Sequence, residues 1–388
     1  MGMNMQFEFA TANRIVFGNG TLEKMIPNVA GMGKRAFILT GRDSSRAEPI
    51  LVQLQKNKVD ARVFSIAGEP TTELIRNCVE TGRPFKPDFI FGLGGGSVID
   101  AGKAVSALMS NPGDVMDYLE VVGEGKTITI RPLPFIAVPT TAGTGSEVTK
   151  NAVIKSEEHG VKVSMRHNRM IPDIAIVDPL LTHTMPSEVT ASTGMDALTQ
   201  LIEPFVSNKA NPMTDGLCRE GIGRVARSLK IAFGDAKNSR ARADMALASL
   251  FGGLCLANAK LGAVHGIAGP MGGMFPVPHG IACARLLPPV MEANVRAMQK
   301  RNPDASVLKR FDKIGQVLTG NPNANASDAV QWIQDLADYL HLPHLSDFGL
   351  KQASFSDLIA KSQKASSMKG NPIHLTDQEL ESILKDVI

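Results

Sequence analysis

The 388-residue chain is poor in aromatic platforms, with one Trp and two Tyr, and poor in net charge, with 41 Lys and Arg set against 38 Asp and Glu. An excess of +3 lacks the electrostatic footprint of a nucleic-acid binder, so no such partner is expected. No uninterrupted apolar run reaches membrane-spanning length, which argues against a membrane protein. The four cysteines, Cys78, Cys218, Cys255 and Cys283, are scattered without a CxxC pair. Neither a zinc knuckle nor a disulfide framework is expected from them, and all four read as small core residues. The opening MGMNMQFEFATANRIVFGNG has no basic segment leading into an apolar core and a small-residue cleavage site, and a cytoplasmic location is expected. Against these shortages stand 43% hydrophobic residues, enough for more than one core, and 36 Gly, which point to close backbone approaches.

The first half alternates short β-rich runs with helical ones. Lys34–Thr40, Asp60–Ile66, Asp88–Leu93, Leu133–Pro139 and Asp173–Val177 read as strands; Ala47–Lys56, Thr71–Arg83 and Val98–Met109 read as helices. That alternation predicts an α/β domain with a doubly wound parallel sheet. The polar stretch Ser156–His167 interrupts it without a strand pattern. From about Pro186 the strand patterns vanish, and Ala, Leu and Met recur at helical spacing through Ser187–Glu203, Arg240–Ala268, Ser327–Tyr339 and Thr376–Ile388. The last run starts with Thr376 and Glu379 three apart, the spacing of a capping box. The expected domains are residues 1–185 and an all-helical 186–388. The basic residues Lys300, Arg301, Lys309 and Arg310 read as a solvated helix face.

Two loops carry the first candidate chemistry. In GLGGGSVIDAGK, Gly94, Gly95 and Gly96 remove every β-carbon where a strand hands over to a helix, so backbone N–H groups and the positive helix end can face a phosphate. Ser97 and Asp100 sit three apart, as an N-cap and its reciprocal partner would. The pattern is not GxGxxG, and a tight turn that binds nothing would use the same glycines. The second loop, TTAGTGSEVT from Thr140 to Thr149, follows the next strand and falls on the same carboxyl edge, where open α/β sheets bind ligands.

In the helical half, Asp196 and Gln200 share a helix face one turn apart, and His265 and His279 are the only histidines between residues 184 and 340. Fourteen residues of continuous helix would part the two imidazoles by roughly 21 Å, too far for one metal ion. The chain must therefore fold back, and Gly269, Pro270, Gly272, Gly273, Pro276 and Pro278 supply the break. Asp, His and His with an open fourth position suit Zn²⁺ or Fe²⁺. Taken singly, each histidine also fits a hydrogen-bonded structural role, the reading kept for the other six.

Together these motifs resemble the iron-dependent (group III) alcohol dehydrogenases, whose superfamily includes glycerol dehydrogenase and dehydroquinate synthase. The resemblance runs over almost the whole chain: Phe17-Gly18, GGGSVID, PTTAGTGSEVT, Lys162, GMDALTQLIE, the His265–His279 segment and NPIHLT. It implies a dehydroquinate synthase-like fold, a dinucleotide-binding domain followed by a metal-binding one, and an active site in the cleft between them. The implied activity is metal-dependent hydride transfer between NAD(P)(H) and a small alcohol or aldehyde. Gly94, Gly95, Gly96, Ser97 and Asp100 would serve the pyrophosphate; Thr140, Thr141 and Thr144 the nicotinamide half; Ser146, Asn151 and Lys162 would complete the nucleotide site. Asp196, His265 and His279 would be the catalytic metal ligands, with Gln200 as a fourth where the family usually has His. Gly269 stands where the family has a second histidine, so a proton must leave by water or a cofactor hydroxyl. Gly266 and Gly269 are expected to widen the pocket floor near His265. A homodimer or larger assembly through the β segment Phe7–Phe17 is also implied.

At the end of the first strand many relatives place an acidic residue that would repel a 2′-phosphate. Here Gly41 takes that place, followed by Arg42, Ser44, Ser45 and Arg46, which favours NADP over NAD, although Asp43 opposes it. Two rival readings are a non-redox synthase of the same superfamily and a degenerate dinucleotide-binding protein without catalysis. The first lacks the expected basic residues for a polyanion, with only Lys260 and Arg285 near His265 and His279; the second is opposed by the intact Asp196, His265 and His279.

Overall fold

The computed structural model describes residues 6–388. Two compact units share the chain unevenly: Ala12–Met185 with Ala236–Leu250 form one, while Pro186–Asp235, Phe251–Ile388 and the described part of Met1–Thr11 form the other.

In the first unit β1 (Arg14–Phe17), β8 (Ile174–Val177), β5 (Phe135–Pro139), β4 (Phe89–Gly94), β2 (Arg35–Thr40) and β3 (Asp60–Ser65) lie in that spatial order as a wholly parallel sheet. Both faces are covered, so the central strands are apolar throughout and not alternating. Phe37 and Leu39 of β2 point to one face, under α3 (Thr72–Gly82) and α4 (Gly96–Ser110). Ala36 and Ile38 point to the other, under α1 (Thr21–Ala30) and α2 (Glu48–Lys56). The chain runs from β2 out to β3 and then back to β4 on the other side of β2, so the switch point lies between β2 and β4. The loops leaving their carboxyl ends, at Gly41 and Gly95, flank the crevice where such sheets bind ligands.

The stretch beyond Asn151 departs from expectation. After the short α5 (Val115–Tyr118), β6 (Asn151–Ser156) and β7 (Val161–Arg166) form an antiparallel hairpin of their own. Ala152 and Ile154 face inward beside Val163 and Met165, and the chain turns through Gly160 at φ 61°. The alternation is real but short and flanked by charge.

The second unit is helical, through α6 (Ser187–Val206), α7 (Pro212–Gly234), α8 (Ser239–Ala259), α9 (Ala263–Met274), α10 (His279–Arg301), α11 (Leu308–Thr319), α12 (Ala326–Tyr339), α13 (Phe355–Lys364) and α14 (Asp377–Lys385), with α8 beginning in the first unit. The capping box of α14 forms as expected: Thr376 N–H donates to Glu379 at 2.7 Å and Glu379 N–H to Thr376 Oγ1 at 3.2 Å. The expected single run Arg240–Ala268 instead breaks at Lys260, whose φ is 61°. Lys300–Arg310 is not simply a solvated face, since Arg310 makes a two-pronged ion pair with Asp215 and Arg301 one with Glu379. Nor does Phe7–Phe17 form one strand; only Arg14–Phe17 does, while Ala10 exchanges hydrogen bonds with the side chain of Asn258. Among the described residues no single helix is long and apolar enough to cross a membrane.

Candidate metal centre and nucleotide loops

Three helices of the helical unit converge on one largely buried spot. Asp196 stands mid-way along α6, His265 in the first turn of α9, and His279 is the first residue of α10. The fold-back that joins the two histidines is Phe275–Pro278, so Pro276 and Pro278 lie in the break, whereas Gly269, Pro270, Gly272 and Gly273 stay inside α9. Asp196 Oδ1 lies 3.4 Å from His265 Nε2 and 3.8 Å from His279 Nε2. A fourth donor joins them: Cys283 Sγ, 3.6 Å from His279 Nε2 and 3.8 Å from His265 Nε2, with all four donor atoms within 4.8 Å of one another. Cys283 is therefore more than the core filler expected of it. Its signal was present in the spacing, four residues after His279 and so on the same helix face. The glycine at position 280 lets α10 start against α6, since a β-carbon there would fall 2.2 Å from the Ser192 carbonyl oxygen.

The support of His265 also escaped the motif reading. Glu203, one further turn along the Asp196–Gln200 face of α6, accepts from His265 Nδ1 at 2.6 Å through one oxygen and from the Val264 N–H at 2.6 Å through the other. A carboxylate on Nδ1 fixes the tautomer and turns the lone pair of Nε2 toward the cluster. The adjacent Ala263 N–H donates to Asn371 of the NPIHLT segment at 3.0 Å.

Charges in this site hold one another. Burial pushes the Asp196 carboxyl up, yet the two imidazoles and the Gln200 amide outweigh it and its pKa is lowered. Burial likewise pushes the Cys283 thiol up and the imidazoles again prevail, leaving it below the usual thiol value. His265 is raised well above the ordinary range although burial opposes it, through Cys283, Glu203 and Asp196; His279 is raised chiefly by Cys283. Asp196 Oδ1 and Gln200 Oε1 are both buried without a hydrogen-bond partner. Orphaned oxygens beside two imidazoles and a thiol are donors that a divalent cation would satisfy.

In the α/β unit the two loops lie side by side. The Thr140 N–H donates to the Gly94 carbonyl at 2.9 Å, and a β-carbon at Gly96 would come within 2.8 Å of Thr144. Thr140 is buried, whereas Gly95, Gly96, Ser97, Thr141 and Thr144 are partly exposed. The expected Ser97–Asp100 cap does not form. The α4 N-cap is Gly95 with no side-chain bond, and Asp100 faces the second loop, accepting from Ser146 Oγ and from the Val153 N–H at 2.9 Å. Beside it lies Lys103, 1% exposed, donating to the Ser146 carbonyl and hydroxyl, to Thr149 Oγ1 and to the Asn151 carbonyl, with Asp100 at 2.9 Å. Ser146 and Asn151 thus meet Lys103, and Lys162 is paired to Glu69.

Around the first strand's end, a β-carbon at Gly41 would meet nothing within 4 Å, so the position is open. Arg42 and Ser44 are exposed. Ser45 is engaged, its N–H and Oγ both donating to Asp43 at 3.1 and 2.6 Å, and Arg46 reaches Thr184. Near His265 the two glycines differ. Gly269 is open, but Gly266 faces Met368, 3.0 Å from where a β-carbon would sit, and packs rather than widening a pocket.

Residues 12–179 match the family model of the iron-containing alcohol dehydrogenases, and residues 190–388 match that of the Fe-containing alcohol dehydrogenase family C-terminal domain. The chain is 34% identical to the 1,3-propanediol dehydrogenase of Klebsiella pneumoniae over 91% of each protein. The solved alcohol dehydrogenase from Oenococcus oeni superposes with a TM-score of 0.91 at 30% identity, covering 99% of this chain and 100% of that one. Sulfoacetaldehyde reductase from Bifidobacterium kashiwanohense, solved in complex with NAD⁺, superposes with a TM-score of 0.87 at 29% identity over 99% of each. The chain belongs to the iron-containing alcohol dehydrogenase family, and it is a metal- and nicotinamide-dependent oxidoreductase acting on the CH–OH group of a small alcohol or on the matching aldehyde.

Proposed function

We propose that the chain reduces short aldehydes, and oxidises the corresponding alcohols or diols, at the cluster of Asp196, His265 and His279. The observation that carries this reading is the convergence of those three donors around an orphaned, buried Asp196 oxygen. A divalent metal held there supplies Lewis acidity toward the substrate oxygen, and the nicotinamide ring supplies the redox chemistry. The protein's own part is positional. Glu203 presents His265 Nε2, and His279, with its side chain 44% exposed, marks the side of the cluster open to solvent. At Gly269 there is no imidazole to relay a proton, which leaves water or a cofactor hydroxyl.

Gly94, Gly95, Gly96 and Ser97 hold the pyrophosphate in this reading, and Thr140, Thr141 and Thr144 the nicotinamide half. Asp100, Ser146 and Asn151 act through Lys103 to shape the second loop. For the 2′ end, the open Gly41 with Arg42 and Ser44 supports NADP(H), while Ser45 is already bonded to Asp43, so NADH should be a working second cofactor. The edge strand β1 supports a homodimer or larger assembly, and the unbridged cysteines, Cys218 and Cys255 among them though their sulfurs touch, suit the reducing cytoplasm.

The test is a panel of short aldehydes with NADPH and NADH after metal loading, repeated on His265→Ala. Activity should fall at least about a hundredfold, with bound metal lost in parallel. Unaltered turnover in that variant would refute the site.

A further inference from the structure

The cluster holds a donor that the resemblance does not include and omits one that it does. Zinc bonds of about 2.0–2.1 Å to nitrogen or oxygen and about 2.3 Å to sulfur place tetrahedral donors about 3.4 Å apart for N and O pairs, and about 3.6 Å apart for S and N pairs. The distances here are 3.4 and 3.8 Å from Asp196 Oδ1 to the two imidazoles, and 3.6 and 3.8 Å from Cys283 Sγ to the same two nitrogens. Four of the six donor-to-donor distances thus match those of one metal ion's shell, and the other two are at most 4.8 Å. Gln200, one turn along α6 from Asp196, also buries an oxygen without a hydrogen-bond partner, Oε1, but a neutral amide oxygen is a weaker donor than a thiolate. Asp196 Oδ1, 3% exposed at the residue level and without a hydrogen-bond partner, independently marks an oxygen that a cation among these atoms would satisfy.

We infer that Cys283, not Gln200, is the fourth metal ligand of this chain, and that the resulting one-oxygen, two-nitrogen, one-sulfur centre holds Zn²⁺ in preference to Fe²⁺. A thiolate is a softer donor than a carboxylate or an amide oxygen and favours zinc. The inference rests on the reading of Asp196, His265 and His279 as the metal centre and goes beyond it in naming the fourth donor and the metal.

Cobalt tests it without turnover. The full-length protein is stripped with a chelator, loaded with Co²⁺ and scanned. The expected spectrum has a near-ultraviolet sulfur-to-cobalt charge-transfer band beside the visible ligand-field bands. In Cys283→Ser the charge-transfer band should disappear while the visible bands remain, which also reports that the variant is folded; in Gln200→Ala it should persist. Loaded with equal Zn²⁺ and Fe²⁺, the wild-type chain should retain zinc, and Cys283→Ser should lose at least about tenfold of that preference. Cobalt bound without a sulfur band in the wild-type protein overturns the ligand assignment alone, and so does a band that survives in Cys283→Ser. Failure to bind cobalt at all overturns the metal-centre reading with it. A charge-transfer band in a protein inactive toward every aldehyde would leave this inference standing and count against the proposed substrates.

Discussion

Each unit of the chain buries one charged side chain that supports its site without belonging to it, and the two do so differently. In the α/β unit Lys103 spreads its ammonium over Ser146, Thr149, the Asn151 carbonyl and Asp100, so one cation shapes a whole loop. In the helical unit Glu203 divides its two oxygens between one backbone N–H and one imidazole, so one anion orients a single ring. A buried charge that organises backbone is part of the fold's stability; one that orients a ligand is part of that ligand's affinity. The difference predicts that removing Lys103 unfolds and removing Glu203 de-metallates.

The largest effect should come from Lys103→Met. Burial disfavours the Lys103 charge and Asp100 restores much of it, the net shift remaining downward. Without the ammonium, Asp100 loses its countercharge and the Ser146, Thr149 and Asn151 oxygens lose a donor. Breaking such a buried pair costs about 3–5 kcal/mol. Urea unfolding followed by circular dichroism should show it. A loss below about 1 kcal/mol would put Lys103 among ordinary polar contacts and erase the contrast with Glu203.

A second buried charge in the same loop sharpens the point, because it lacks a close partner. Glu147 is 2% exposed, and burial raises its carboxyl from 4.5 to about 7, against weaker help from its own backbone and Lys103. A raised acid keeps its full stability below the unfolded value of 4.5 and loses it as pH climbs through about 7. The wild-type chain should therefore be less stable at about pH 8 than at about pH 5 by up to about 3 kcal/mol from this group. Glu147→Gln should flatten that slope and be the more stable form at the higher pH. Parallel denaturation curves of the two proteins at both pH values would contradict the assignment.

How far the sequence reveals these features follows from how each is built. The sheet was legible because strands buried on both faces are apolar runs, and the two loops were legible because glycine and threonine at the carboxyl edge of a parallel sheet have a local pattern. Asp100 misled because three-residue spacing from Ser97 mimics a cap, while its partners, Ser146 and Val153, lie 46 and 53 residues away. The β6–β7 hairpin was hidden because Lys155 and Lys162 interrupt strands no shorter than those of the sheet. Asp196, His265 and His279, proposed here as metal ligands, could be named through the resemblance, but the roles of Cys283 and Glu203 could not. A lone cysteine carries no motif beyond its four-residue spacing from His279, and Glu203 repeats a helix face already credited to Asp196 and Gln200. The fold-back at Phe275–Pro278 brings Cys283 to His265, whereas Glu203 meets the start of α9 before that turn.

Glu203→Gln is the smallest and most selective test. The amide matches the carboxylate in size, so the fold should survive, but it cannot do both jobs. Its single carbonyl oxygen can accept from Val264 N–H or from His265 Nδ1–H, and whichever it takes, its NH₂ then faces the other donor. If the α9 N-terminus wins, His265 loses the acceptor that fixes its tautomer and the basicity of Nε2. Metal affinity should fall about 10–100-fold, while the metal-free protein loses only the about 1–3 kcal/mol of one buried donor left unpaired, less than Lys103→Met. The readout is competition against a chelator of known affinity, run beside denaturation of the same preparation. A variant that keeps its metal but unfolds early would make Glu203 a twin of Lys103, a charge serving the fold, and the contrast between the two units would fail at that residue.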